Sequence, residues 1–174
     1  ECARRAVARP AQLFERHGAP VWMSEIGHRS TGAYLAASPD ALREQQHAFV
    51  TAHGMEVELE TLRNAAGREH GAWYGGLPPL AQTSAGGERV HVAGRDWDII
   101  ETSGHCRGHL CLYDALGQVL IAGDQLLPTI SPNVSVLPSR PDANPLREFL
   151  ESLARLEHCA PNTLVLPAHG RPFG

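Results

Sequence analysis

The sequence predicts an α/β fold in which helices cover a sheet built from hairpins. Three observations carry this. From Arg89 onward the chain alternates, or runs apolar, in short stretches separated by turn residues, as strands do. Segments with helix start and stop signals lie before that stretch, and another lies within it. No internal repeat and no linker divides the chain, so one domain is expected over residues 1–174.

The elements follow in order. Pro10 to His17 reads as a short helix, because Pro suits a first turn and Gly18 suits the stop. Ala19 to Met23 is a brief apolar run, expected as a buried strand. Ser38-Pro39-Asp40 opens a helix with Ser38 as cap, running to about His53 with Gly54 ending it. Met55 to Ala66 is expected as a second helix with Leu59 and Leu62 facing inward. Residues 70–88 are rich in Gly, Pro, Ser and Thr and read as a loop, with Trp73 and Tyr74 either on a substrate rim or tucked onto the core. Arg89 to Ala93 and Trp97 to Glu101 form a hairpin about Gly94-Arg95. His109 to Tyr113 and Gln118 to Ala122 form another about Ala115 to Gly117. Asn144-Pro145 opens a helix whose apolar face is Leu146, Phe149, Leu150, Leu153 and Leu156. Thr163 to Pro167 is the last strand.

Composition narrows the function classes. The chain is long enough for a real core, and its formal charge of −4 gives no reason to expect a nucleic-acid partner. The cluster Arg4, Arg5, Arg9 is too short to change that. Cys2, Cys106, Cys111 and Cys159 show no CxxC spacing, as expected for free thiols in a reducing cytoplasm. No apolar stretch approaches the length of a membrane span, and no signal-like segment leads the chain, although its start looks cut.

The chemistry concentrates where apolar runs stop at a Gly beside a His or Asp. The pieces are Gly104-His105, Val119-Leu-Ile-Ala-Gly-Asp124 and Leu164-Val-Leu-Pro-Ala-His-Gly170. Gly104 permits a tight path beside His105, and neutral imidazole is a good ligand for a divalent metal; the plain alternative is an exposed loop His. A carboxylate ending a buried strand, as Asp124 does, needs hydrogen bonds or a cation; the alternative is a turn cap. His169 parallels Asp124; the alternative is a core His donating to a carbonyl. Cys106 is read as a small residue before a metal-touching thiolate. The remaining His residues show no ligand spacing.

In order and wording these pieces resemble the metallo-β-lactamase superfamily: a Gly-His-x-x-Gly-His loop, then a Gly-Asp strand end, then an Ala-His-Gly strand end. The resemblance covers roughly residues 9–174. It implies a four-layer αβ/βα sandwich. It makes His105 a ligand of one metal, Asp124 the catalytic carboxylate bridging two, and His169 a ligand of the other. It puts His109 in support behind the loop, and Asn133 in the segment lining the substrate site, where it either contacts substrate or only fixes a turn.

The superfamily's His-x-His-x-Asp-His element is not spelled anywhere in this chain. Counting back from Gly18-Ala-Pro-Val21, it falls on Glu1-Cys-Ala-Arg-Arg-Ala6, which matches none of its four ligand positions. A fragment lacking its N-terminal part, or a divergent member, is therefore expected. An unpaired sheet edge would then invite homodimers.

The implied activity is hydrolysis of an ester, thioester or amide in a small-molecule substrate. It would use two zinc ions about 3.5–4 Å apart and a hydroxide held on them. Iron or manganese suits the same donors. Within the superfamily, the wording resembles small cytoplasmic hydrolases that act on thioesters. The rival readings are a non-catalytic or weakly metal-binding member that has lost half its site, and a single-metal binding protein.

Overall fold

The structure, a computed structural model, describes residues 16–18, 20–59, 61, 77 and 80–174. The Arg4, Arg5, Arg9 cluster, residues 1–6, Trp73 and Tyr74 lie outside the described residues, as does most of the helix expected at Pro10 to His17. The described residues fall into two compact units. One draws on the described residues within 1–22, 29–82 and 137–141; the other comprises Met23–His28, Thr83–Val136 and Asp142–Gly174.

Strand β1 (Val21–Met23) pairs with β2 (Leu80–Thr83). The expected strand is present but not buried, since Trp22 is exposed. Helix α1 (Glu25–Ala36) has no counterpart in the sequence expectations. Its segment holds two Gly, a Ser and a Thr, all modest helix formers, and it has no buried residue. Its start is nonetheless marked by Ser24, whose hydroxyl accepts from Gly27 N at 2.9 Å. Helix α2 (Pro39–Ala52) forms as expected, with Ser38 accepting from Ala41 N at 3.1 Å. The helix expected from Met55 is absent over Met55 to Glu58, and Leu59 is exposed rather than inward. Ala66 and Leu62 lie outside the described residues.

The second unit carries a five-stranded sheet of β3 (Arg89–Val92), β4 (Arg95–Thr102), β5 (His109–Asp114), β6 (Val119–Gly123) and β7 (Leu164–Pro167), in that spatial order. The first three pairings are antiparallel, and β6 with β7 is parallel. The β3–β4 turn falls at Ala93-Gly94, one residue earlier than expected. Both have positive φ (54° and 74°), which a two-residue hairpin turn of matching twist requires. A parallel pair needs a crossover, and here it contains helix α3 (Pro145–Leu156), capped by Asn144 Oδ1 accepting from Arg147 N at 2.9 Å.

One face of this sheet makes the core. Cys111, Leu120, Ala122 and Val165 pack with Leu156 of α3, and Ile100, Tyr113 and Phe173 close around them. Each large apolar side chain so buried stabilises by about 1.5–3 kcal/mol. The inward face of α3 differs from the apolar stripe of the sequence. Pro145, Ser152 and Leu156 are buried, whereas Leu146 and Leu150 are 58% and 57% exposed. The helix instead turns a buried serine toward the backbone of Ser103, as described below.

Candidate metal centre

Strand direction assembles the site. Strands β4, β6 and β7 run the same way, because β5 is antiparallel to both of its neighbours and β7 is parallel to β6. Their C-terminal ends therefore share one edge of the sheet, the edge where open α/β sheets hold ligands. Asp124 directly follows β6, His169 follows β7, and the loop bearing His105 follows β4. A register shift between Ile121 and Gly123 adjusts the β6 end, and Ala168 N donates to Gly123 O at 2.8 Å beside it.

The three side chains meet. His105 Nε2 lies 3.5 Å from Asp124 Oδ2, and His169 Nε2 lies 3.4 Å from Asp124 Oδ1. Each carboxylate oxygen thus faces a different imidazole. His105 Nδ1 donates to the Asn133 carbonyl oxygen at 2.9 Å; a carbonyl can only accept, so the proton is on Nδ1. In a neutral ring, Nε2 then presents a lone pair to a carboxylate oxygen. Two acceptors face each other, an arrangement that a cation between them relieves.

The backing of the site is glycine and buried polar groups. Gly123 has φ +55°, and a Cβ there would collide with His109 Nε2. The His109 ring sits behind the β6 end, with Nδ1 3.0 Å from Thr102 Oγ1. Burial pushes its pKa down, with His105 acting the same way and Asp124 against it, which favours the neutral ring. Cys111 beside it is a buried thiol pushed up to about 12, chiefly by burial, and is chemically quiet. Cys106 is exposed as a residue, yet the atoms crowding its sulfur, and then the charge of Asp124, raise its pKa. It stays a thiol at neutral pH. Gln125, next to Asp124, is wholly buried, and neither of its amide atoms has a hydrogen-bond partner among the described residues.

Asn133 makes a short-range side-chain bond of the kind that fixes a turn, and a main-chain contact that the sequence did not point to. Its backbone carbonyl orients His105, and its side-chain Oδ1 accepts from Ser135 Oγ at 2.5 Å. No sequence motif marks a carbonyl 28 residues away as the partner of a ring nitrogen. Ser152 and Ser24, which hold the His105 loop, carry no motif either.

Among the described residues no group of three or more His, Cys, Asp or Glu converges where one metal ion would sit. The arrangement is instead two half-sites of one imidazole nitrogen and one carboxylate oxygen, joined through Asp124. That chemistry suits zinc, iron or manganese. It supplies part of each shell, since a catalytic zinc ion takes about three protein ligands. The residues fit a shared pair of ions, as an incomplete set.

A model of the metallo-beta-lactamase superfamily matches residues 13–169. A beta-lactamase domain protein from Burkholderia ambifaria is 31% identical, with a TM-score of 0.72; the match covers 92% of this chain and 54% of that one. A metallo-beta-lactamase family protein from Thermus thermophilus is 32% identical, with a TM-score of 0.69, covering 92% of this chain and 50% of that one. A protein solved in a di-iron-bound form is similar in fold, at 21% identity and a TM-score of 0.54, covering 94% of this chain and 63% of that one. A comparison with curated proteins gives no match. The chain spans about half the length of the first two structures. A family model running over nearly the whole chain, together with two relatives above the level of fold likeness alone, shows that the chain belongs to the metallo-beta-lactamase superfamily and has its fold.

Proposed function

We propose that this chain carries part of the dinuclear metal centre of a hydrolase that cleaves an ester, thioester or amide bond in a small-molecule substrate. Superfamily members are generally metal-dependent hydrolases. The observation that carries the reading is Asp124, with one oxygen toward His105 and the other toward His169. Zinc is the ion we assign first, with iron or manganese as the alternatives the donors allow.

Bound divalent ions polarise a carbonyl and bring the pKa of water toward about 7. The residues of the chain do the rest. Asp124 would hold the ions together with His105 and His169, whose Nε2 atoms face its two oxygens. The Asn133 carbonyl accepts from His105 Nδ1, which would leave Nε2 free to bind. The neutral His109 ring holds the β6 end from behind without adding charge. Asn133 Oδ1 accepts from Ser135 and keeps a second lone pair, so a substrate contact could use either end of that amide. The free thiols Cys106, Cys111 and Cys159 support a reducing, cytoplasmic setting.

A second reading, a non-catalytic or weakly metal-binding member, is favoured by one observation: no three-donor group exists among the described residues. Elemental analysis of protein purified without added metal separates the two. The hydrolase reading expects bound divalent metal in the wild type, lost in Asp124→Ala and His169→Ala, and cleavage of a thioester or ester panel after zinc loading. A folded wild-type chain that holds no metal and cleaves nothing when loaded leaves the second reading.

A further inference from the structure

We infer that Ser152 and Ser24 are positioning residues for the metal centre: two buried hydroxyls that clamp the His105 loop at its two ends. The inference rests on the reading of His105 as a ligand. The loop runs from Ser103 to Gly108, between β4 and β5. Its first end is held by α3. Ser103 N donates to Ser152 Oγ at 2.8 Å, and Ser152 Oγ donates to Glu148 O at 2.7 Å, one turn earlier in the helix. Its last end is held by the start of α1. Ser24 Oγ donates to Gly108 O at 2.6 Å while accepting from Gly27 N at 2.9 Å. Each hydroxyl is used both as donor and as acceptor.

Helix stability alone does not explain Ser152. It sits in the interior of α3 on a face otherwise formed by Pro145, Phe149 and Leu156, and it is 1% exposed. Serine is a poorer helix former than alanine, and a buried hydroxyl costs free energy unless bonded. A Ser hydroxyl that bonds back to the carbonyl four residues earlier also weakens a helix slightly. Alanine would suit the helix better. What serine adds is an acceptor for Ser103 N, 49 residues away, immediately before Gly104-His105.

Close packing shows that the clamp sets position as well as satisfying polar atoms. Gly104 has φ +110°, and a Cβ there would come within 2.8 Å of Phe149 N, so the loop lies directly on the helix. A Cβ on Gly27 would stand 2.8 Å from Ser24 Oγ, and one on Gly108 would overlap it. The loop backbone therefore has little room to shift at either end. Between the two anchors His105 is itself tied to a distant segment, through Nδ1 to Asn133 O. The His105 Nε2 position opposite Asp124 is thus determined by contacts to Ser152, Ser24 and Asn133, none of which is read as a ligand of the site.

The test compares Ser152→Ala, Ser152→Thr and Ser24→Ala in the full chain, with far-UV circular dichroism confirming the fold. Two readouts are taken. In metal-free protein, long-range proton–nitrogen NMR follows the His105 Nδ1–H signal. In a titration with Co2+, the visible absorption gives the dissociation constant. The expected result for Ser152→Ala and Ser24→Ala is faster exchange of the His105 Nδ1–H and cobalt binding weaker by about 10–100-fold, with Ser152→Thr restoring both. A lower melting temperature with the His105 signal unchanged overturns the clamp and leaves a merely structural serine. Should Ser152→Ala not fold, Ser24→Ala reads the other end of the same loop by the same measures. A wild type that takes up no cobalt refutes the metal reading by itself, and the NMR signal still decides the clamp.

Discussion

At the scale of single residues, the site depends as much on what is missing as on what is present. Gly123 leaves room for His109 and adopts a left-handed φ of +55°, so Asp124 emerges in the right direction. Gly123→Ala is expected to cost more than the roughly 1–2 kcal/mol that left-handed backbone costs an L-residue, because the new methyl also meets the His109 ring. Urea denaturation gives the number; an unchanged midpoint would show that neither constraint is real. The sequence singled out His105, Asp124 and His169, which the fold brings side by side, because a polar residue abruptly ended an apolar run or sat on a Gly-flanked loop. It did not disclose Ser24 or Ser152, because a serine has the same appearance on a surface as in a clamp. Nor did it disclose that Asn133 acts through its carbonyl, since backbone atoms carry no residue signature.

At the scale of elements, the strands were far more legible than the helices' faces. Alternation and turn residues located both hairpins to within about two residues. The β5–β6 turn shows how such a hairpin is locked. Asp114 at the end of β5 accepts from Gly117 N at 2.8 Å and from Arg95 Nη1 at 2.9 Å, which ties the turn to the start of β4. The Gly117 amide, and then Arg95, hold the Asp114 carboxyl below its ordinary value of 3.8, against the opposing effect of burial. A carboxyl depressed in the folded state adds stability above its unfolded pKa and loses it as the pH falls through the folded one. Asp114→Asn is therefore expected to be less stable than the wild type at neutral pH, with the gap closing progressively below a pH of about 4. Thermal melts across that range check it; a gap independent of pH would assign the effect to shape rather than charge. Helix α3 was placed correctly but turned incorrectly. Counting apolar residues put Leu146 and Leu150 inward, whereas the helix is set by Ser152 and Phe149 against the loop. The buried face carries a polar residue whose partner is 49 positions away, which a hydrophobic count does not register. Helix α1 was missed because two glycines and a serine masked it, and only the cap at Ser24 betrayed its start.

At the scale of the whole molecule, the two faces of the five-stranded sheet are unequal. Register aligns Ile99, Leu112, Ile121 and Leu166 in one row across β4 to β7, on the face away from the core cluster. Ile121 is 38% exposed, and Leu164, two residues before Leu166, is 44% exposed. Ile99 at the β4 end of the row is buried, so the apolar surface open to water lies at the β6–β7 end, and such a patch favours association. The protein is expected to self-associate in light scattering, with Ile121→Lys shifting it toward monomer; a wild type that stays monomeric at high concentration would contradict this. The family and its sheet were legible because they rest on strand ends, which short motifs describe. The division of the described residues into two compact units was not, because no composition change marks it. The parallel β6–β7 pair has one more effect. Asp124 and His169 are held at a common edge by main-chain pairing, so in the 39 positions from Gln125 to Thr163 those that touch neither the core nor the His105 loop can change without moving either. Asn133, Ser152 and Leu156 are the fixed points within that stretch. The two strand ends can thus be inherited unchanged while the loops around them vary, and a fold of this kind can diversify by editing a connection instead of refolding a sheet.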